Sequence, residues 1–403
     1  MQTNLNLEKV YHAAECMPDV ARMTGMIRAF NVPTNASESY LKTENLQVTG
    51  AFKVRGAYYK LLTLTNEEKS RGVVACSAGN HAQGVALAAK KLGIKATIFI
   101  PSLAPLSKIE ATESYGAKVV LVDGVYDDAY DESLKYAKEC GAVFVHPFDD
   151  YDVIAGQATI GVEILKQLTD VECIVTSIGG GGLIAGIAYY VKQINPDIKI
   201  YGVQVEGAAS MHKSFKSDKI CTISHVSTFA DGIAVKSPGE ITFDLCQKYV
   251  DDIVAVSDDE IASAVLALME GQKIVAEGAG AACVAALMHN KLPVQGKKCV
   301  AVVSGGNIDV NILSRVINRG LTTAGRVCEL TIELIDKPGQ LQAVSEIISK
   351  LGANVTKVRH DPLGEKSDIK GCFLHIGLET KNLAHLNEIE KAFRAKGYKI
   401  IPH

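Results

Sequence analysis

Two short segments, far apart in the chain, hold residue types that could do covalent chemistry. The first is Thr49-Gly50-Ala51-Phe52-Lys53-Val54-Arg55-Gly56-Ala57, in which Lys53 sits among small and apolar residues. Most lysines are solvated surface charges, and a lysine on a helix over Lys53–Leu61 could be one of them. A lysine taken out of water instead gives up its proton more easily and becomes a nucleophile toward carbonyl carbon. The second segment is Gly179-Gly180-Gly181-Gly182, which ends the apolar run Cys173–Ile178 and opens another, Leu183–Ile187. A strand, a turn of glycines and a helix expose backbone N–H groups at a helix N-terminus, where no side chain blocks a close anion. Three readings of this stretch stand side by side: a plain turn, a phosphate loop, and a dinucleotide site. The last fits Gly180-x-Gly182-x-x-Ala185 with Glu206 at the end of the next strand, where a ribose-binding acid belongs. An amine for an aldehyde and a cradle for a phosphate are together what a pyridoxal phosphate (PLP) enzyme requires.

Such groups need a rigid frame, and the periodicity of the chain supplies one. Short apolar runs at Val73–Cys76, Ala96–Ile100, Lys118–Val122, Ala142–Val145, Cys173–Ile178, Lys199–Val205, Asp252–Val256 and Lys298–Val303 read as strands. Helical stretches near His81–Leu92, Lys108–Tyr115 and Tyr126–Glu139 alternate with them. Continuous apolar strands separated by helices imply parallel sheets covered on both faces, hence α/β. At 403 residues the chain exceeds one ordinary core, so two or three domains are expected. We expect a two-lobed catalytic domain over 1–325, its smaller lobe at about 54–150, with the ligand between the lobes. After Arg326 the pattern changes. Glu329–Leu334 alternates at the strand period, Pro338-Gly339 starts a helix through about Leu351, and strands at Asn354–Arg359 and Gly371–Leu378 follow. A helix over Leu383–Lys396 and a strand at Lys399–Ile401 close the chain. This β-α-β-β-α-β order is the ferredoxin-like arrangement, expected as a separate domain over 326–403.

Bulk properties exclude several function classes. With 47% apolar and 22% charged residues and a net charge of -3, no basic surplus draws the chain onto nucleic acid or an anionic membrane. The longest apolar run, Gly181–Val191, is too short to span a bilayer. Met1–Glu8 lacks the basic-then-apolar order of a secretory signal, so the expected compartment is the cytoplasm. The 10 cysteines form no Cys-x-x-Cys pair and read as small hydrophobes, not as ligands or disulfides.

Further segments follow in order: Lys42–Ala57 around the lysine, Ser77-Ala78-Gly79-Asn80-His81-Ala82-Gln83-Gly84, His146-Pro147-Phe148-Asp149-Asp150, and Ile154-Ala155-Gly156-Gln157. After them come Gly179–Leu183, Glu277-Gly278-Ala279-Gly280 and Ser304-Gly305-Gly306-Asn307. This succession, over about residues 5–325, resembles the fold-type II PLP enzymes, specifically the serine/threonine dehydratases. The tail, with Asp336-Lys337-Pro338-Gly339-Gln340-Leu341 and Leu351-Gly352-Ala353-Asn354-Val355, is similar to an ACT regulatory domain. The whole chain resembles the threonine dehydratase branch that carries one such domain.

The resemblance implies a role for each position. Lys53 holds PLP through its aldehyde and, once freed, takes the α-proton of the substrate. Phe52 packs near the ring, Gly179, Gly180, Gly181, Gly182 and Leu183 hold the phosphate, Asn80 bonds the ring oxygen, and Ser304 faces the ring nitrogen. Ser77, Ala78, Gly79, Asn80 and His81 receive the substrate carboxylate at a helix start. A serine cannot protonate that nitrogen as a carboxylic acid would, which disfavours holding a carbanion and suits prompt loss of a β-hydroxyl. Racemases of the family resemble Ser-Ser-Gly-Asn-His, and the second serine is the acid/base opposite the lysine. Ala78 fills that slot here, so elimination is expected over racemisation. The implied reaction is dehydration and deamination of L-threonine to 2-oxobutanoate and ammonia, with L-serine a weaker substrate.

The chain departs from the family's pattern at several positions. Ala51 replaces a serine often found before Phe-Lys, and Ala158 stands where glycine is common. Gly207–His212 offers no second carboxylate beside Glu206, so no divalent metal is expected, a monovalent cation being the alternative. His146 before Pro147, with Asp149 and Asp150, reads as structural rather than catalytic, and Asp231–Ala234 as shaping the cleft. Arg359-His360-Asp361 reads as an exposed loop. The expected partners are a small amino-acid substrate, an isoleucine or valine effector (or a nucleotide) at the tail, and further copies of the chain as a tetramer or dimer. The roles in view are isoleucine biosynthesis or threonine breakdown. Competing functions are a serine or hydroxyaspartate dehydratase or racemase, an NAD-binding oxidoreductase, and a non-catalytic amino-acid sensor.

Overall fold

The computed structural model describes residues 4–362 and 371–401. The chain divides into two compact units, Met1–Leu313 and Ser314–His403. In the larger unit, a six-stranded sheet runs in the order Met26–Arg28, Glu38–Lys42, Lys298–Val302, Cys173–Ser177, Lys199–Val205, Asp252–Val256. Every pairing is parallel except that of the edge strand Met26–Arg28. A second, all-parallel sheet orders Lys118–Val122, Ala96–Pro101, Val73–Cys76, Val143–Phe144. Strands such as Cys173–Ser177 are buried at every position, which is why they read as unbroken apolar runs. Each sheet has its own aliphatic core, one around Ile174, Ile184 and Val300, the other around Val54, Ala75 and Ile98.

The helix that carries the lysine, Lys53–Leu62, is seated by glycines on its neighbours. A Cβ on Gly156, in the helix Tyr151–Gln167, would come within 2.6 Å of the Arg55 carbonyl oxygen and the Gly56 Cα. A Cβ on Gly84, in the helix Asn80–Leu92, would press to 3.0 Å on the Lys53 carbonyl carbon. Backbone therefore meets backbone on both sides of Lys53.

Two residues on, Arg55 anchors the same helix by charge. Its guanidinium donates to both Glu44 oxygens at 2.8 Å and to Glu163 at 2.6 Å, and Lys42 donates to Glu163 at 2.5 Å. Arg55, Glu44 and Lys42 are fully buried. The carboxylates hold Arg55 firmly charged against the cost of burial, and the arginine keeps Glu44 below the usual carboxylate range despite its burial.

Three sequence expectations differ from the structure. Arg359-His360-Asp361, expected as an exposed loop, ends the strand Asn354–Asp361 and pairs with Phe373–His375, because a neighbouring strand and not local polarity decides the pairing. The strands Met26–Arg28 and Glu38–Lys42 were not expected, because Glu38-Ser39-Tyr40-Leu41-Lys42 is too polar to read as a buried strand. Cys173 and Cys299, opposite each other on neighbouring parallel strands, are joined as a disulfide. Cysteine spacing in the sequence carries no trace of a pairing made by strand register. Of the others, Cys76, Cys246, Cys283 and Cys372 are buried as expected, whereas Cys140 is exposed.

The smaller unit contains the β-α-β-β-α-β series Val327–Ile335, Gln340–Leu351, Asn354–Asp361, Gly371–Glu379, Leu383–Ala395 and Lys399–Ile401. Its antiparallel sheet is ordered second, third, first, fourth strand, over a core of Leu330, Ile332, Val344, Ile376 and Phe393. The division between the units falls within the helix Val310–Thr323, whereas the sequence pattern changes at Arg326, where strand alternation begins.

Removing Arg55 leaves Glu44 and Glu163 buried together without their shared cation. Arg55→Leu should destabilise the larger unit by about 3–5 kcal/mol, read as a fall in its urea midpoint. An unchanged midpoint would show that the network is not needed for the fold.

Candidate active site

The carboxyl ends of Val73–Cys76, Cys173–Ser177 and Lys298–Val302 face one cavity of about 910 Å³, the place where ligands bind in parallel α/β sheets. Every site residue that the resemblance implies lines it: Phe52 and Lys53, Ser77 to His81, Gly179 to Leu183, and Ser304.

Lys53 opens its helix, and its Nζ donates to the Pro147 carbonyl at 2.7 Å. The ammonium lies 5.4 Å from the Phe52 ring centroid. Among the described residues no carboxylate forms an ion pair with it. The side chain borders the cavity and is half-buried. Burial brings its pKa down to about 8, the charge of Glu277 opposing the shift. That is the microenvironment in which lysine becomes a usable nucleophile and base near neutral pH.

The glycine run does what a plain turn would not. Gly181 takes φ +105° as the N-cap of the helix Gly182–Ile194, and no side chain caps that helix. A Cβ on Gly180 would run into the Phe148 ring. The Gly180 carbonyl points away from the cavity and accepts from Thr242 Oγ1 at 2.6 Å. Uncapped N–H groups thus meet the cavity at the positive end of a helix dipole, a site suited to a phosphate.

A second uncapped helix start lies across the cavity. Gly79 is the N-cap of Asn80–Leu92 without a side-chain hydrogen bond, and Ser77 Oγ accepts from the Gly79 N–H at 3.1 Å. Ser77 therefore braces the turn and leaves the helix start free for an anion. His81 turns its ring away: Nε2 donates to the Val145 carbonyl at 2.9 Å. Burial, helped by the charge of Lys53, brings its pKa down to about 3, so the ring is neutral. Ser304 is buried, with Oγ 3.2 Å from Ser177 Oγ, and its carbonyl accepts from the Phe52 N–H at 3.1 Å.

Several residues of the site were given no task from sequence. Ser177 pairs with Ser304 but ends a strand that reads as core. Asn307 and Glu277 lie in recognised motifs, yet their partner, Asn80, is distant in the chain. His146 and Asp149 take supporting parts. His146 Nδ1 accepts from the Asp149 N–H at 2.7 Å, and the Asp149 carboxylate accepts from the N–H groups of Glu240 and Thr242 at 3.1 and 3.0 Å. Asp231 is exposed and paired with Lys108 at the edge of the cavity. Glu206, the acid a dinucleotide would need, is exposed and does not line the cavity. Among the described residues, one group could hold a metal ion: Asp336, His360 and Cys372 in the smaller unit.

These features can be set against known proteins. The family described as "Pyridoxal-phosphate dependent enzyme" matches residues 19–305. The chain belongs to that family. Its cofactor is pyridoxal phosphate, and the residues present fit it: a half-buried low-pKa lysine, an uncapped glycine loop, and neutral polar groups at Asn80, Ser304 and Ser177. An L-threonine ammonia-lyase of Thermotoga maritima is 48% identical over 98% of this chain and 99% of its own length. The catabolic L-threonine dehydratase TdcB of Escherichia coli is 48% identical over 69% of this chain and 85% of its own. Among solved structures, processed threonine deaminase isoform 2 of Solanum lycopersicum aligns with TM-score 0.73 at 37% identity, over 79% of this chain and 95% of that one. Maize serine racemase aligns with TM-score 0.74 at 33% identity, over 79% and 98%.

A PLP enzyme must bring a lysine to the cofactor aldehyde with its amine neutral. An ordinary lysine is almost wholly protonated at neutral pH, whereas Lys53 sheds its proton near pH 8. Adding cofactor to the cofactor-free protein should therefore give a binding rate that rises with pH to a midpoint near 8. Stopped-flow absorbance measures this, and a midpoint near 10.5, the ordinary lysine value, would contradict it.

Proposed function

We propose that the protein is an L-threonine ammonia-lyase that removes water from L-threonine and yields 2-oxobutanoate and ammonia, with L-serine a weaker substrate. The observation that carries this reading is a lysine-centred PLP cavity in a chain related end to end to a threonine ammonia-lyase. When bound, the cofactor supplies an electron sink that acidifies the substrate's Cα–H bond.

The chain's own residues supply the rest. The uncapped start of Asn80–Leu92 binds the substrate carboxylate, with Ser77 bracing the turn. Lys53 takes the Cα proton from one face and helps return a proton to the departing β-hydroxyl. Ala78 presents only a methyl group to the cavity, so no acid stands there to reprotonate Cα from the opposite face. Ser304 faces Ser177, not a carboxylic acid, which favours expelling the hydroxyl over storing negative charge. The released enamine tautomerises and hydrolyses to the oxo acid and ammonia.

The likeness to maize serine racemase favours racemisation as the second reading, and Ala78 argues against it. Ala78→Ser should raise formation of D-serine from L-serine in deuterated water, followed by chiral chromatography. Unchanged D-serine would remove Ala78 as the determinant. Lys53→Ala should abolish 2-oxobutanoate release from L-threonine in a coupled reductase assay, and retained turnover would overturn the assignment.

The smaller unit is proposed as an ACT-type regulatory domain. A cavity of about 200 Å³ lies at one corner of its sheet, lined by Asp336 and Lys337 with apolar Leu334 and Leu374. Gly339, at φ +89°, starts the uncapped helix Gln340–Leu351 beside it. An acid for an ammonium, a lysine and helix start for a carboxylate, and an apolar wall suit a small aliphatic amino acid. Isoleucine or valine is the proposed effector, in a cytoplasmic homotetramer or homodimer serving isoleucine synthesis. A nucleotide activator would mark threonine breakdown instead. Calorimetric titration of the full chain should give heat with isoleucine or valine that is lost in Asp336→Asn. Heat with AMP alone would favour the catabolic role.

A further inference from the structure

Glu277 is a buried acid in the cavity wall, and among the described residues no cation forms an ion pair with it. It is the N-cap of the helix Gly278–Met288, yet its carboxylate does not cap that helix. It reaches across to Asn80 instead, and Oε1 accepts from Asn80 Nδ2 at 2.6 Å.

The orientation of the Asn80 amide follows from what each neighbour can do. The Thr49 carbonyl can only accept, so the Asn307 atom 2.7 Å away must be its nitrogen. That same nitrogen donates to Asn80 Oδ1 at 2.8 Å. The other end of the Asn80 amide is then Nδ2, which meets Glu277 and retains a second hydrogen for the cavity. Glycines clear the room for both anchors. A Cβ on Gly305 would run into Glu277 Oε1, and one on Gly50, at φ +71°, into the Asn307 side chain.

We propose that Glu277 is a positioning residue. Its carboxyl oxygen and the Asn307 amide hold Asn80 from both ends, fixing the nitrogen of Asn80 toward the cofactor. This rests on the PLP lyase reading above. The groups facing the carboxyl are Asn80, Lys53, Lys108 and Asp231. Burial and the charge of Asp231 raise its pKa to about 8, against the pull of Asn80 and the lysines. A neutral carboxyl still accepts through its carbonyl oxygen, so the role needs an acceptor and not a charge.

Glu277→Gln keeps that acceptor and Glu277→Ala removes it. With cofactor bound, the visible circular dichroism band reports how the cofactor is held, independently of turnover. Glu277→Ala should weaken this band and lower kcat about tenfold, the scale of one well-placed hydrogen bond, with KM for L-threonine little changed. Glu277→Gln should restore both band and kcat. Asn307→Ala, which releases the other end of Asn80, should weaken the band as Glu277→Ala does. A full band in Glu277→Ala, or a Glu277→Gln protein as impaired as Glu277→Ala, would overturn the proposal. If Glu277→Ala does not fold, Glu277→Gln and Asn307→Ala still decide. A wild-type holoenzyme inert toward threonine would sink the substrate reading alone, because the dichroism series still tests Glu277.

Discussion

A half-buried lysine amine with no paired carboxylate among the described residues is the constraint on which the larger unit depends. Bringing Lys53 from the ordinary lysine value to about 8 corresponds to about 3 kcal/mol, at 1.36 kcal/mol for each unit of pKa. The charge of Glu277 relieves that cost only in part, and a directly paired carboxylate would restore the proton and end the amine's usefulness as a nucleophile. Among the described residues the amine's hydrogen-bond partner is the Pro147 carbonyl. Two residues on, Arg55 is treated in the opposite way, with two carboxylates and a fully satisfied guanidinium. One helix thus carries a cation that is meant to stay charged beside an amine that is not. The paired residue anchors the helix, and glycine-mediated backbone contacts at Gly84 and Gly156 fix where the unpaired one points.

The cavity that results sets neutral polar groups at Asn80, Ser177 and Ser304 beside Lys53, while Lys108 and Lys236 in its wall are paired with Asp231 and Asp127. Its uncapped helix starts at Gly79 and Gly181 offer backbone N–H groups suited to a phosphate and a carboxylate. His81, adjacent to the first, is kept uncharged by burial. A cofactor with a dianionic phosphate and a substrate with a carboxylate can enter together without a cluster of arginines, and Lys53 is left free to exchange its proton. The Gly180 carbonyl behind the glycine loop is tied down by Thr242, while Asp149 caps the helix that carries Thr242. The loop is thereby preorganised from outside the cavity.

Much of this was legible in the residues. Parallel strands buried on both faces appear as unbroken apolar runs, so nearly all the strands of both sheets could be read. Lys53 and Gly179–Gly182 stood out because the chemistry demands those residue types in that local setting. The edge strands Met26–Arg28 and Glu38–Lys42 did not stand out, because Glu38 and Lys42 look like surface residues until tertiary partners account for them, as Glu163 does for Lys42. Contacts across great sequence separation were equally hidden. Ser177 meets Ser304 across 127 residues and Asn80 meets Glu277 across 197, and no local pattern encodes either. The Cys173–Cys299 pair depends on strand register in the same way. Local chemistry could be read, and the partners that tune it required the fold.

The central claim is that Lys53, and no other lysine, is the cofactor's covalent partner. Borohydride reduction of the holoenzyme, digestion, and mass spectrometry of the modified peptides test this directly. The account predicts a phosphopyridoxyl group on the peptide containing Lys53. Modification at another lysine such as Lys108, or none in cofactor-loaded protein, would contradict it.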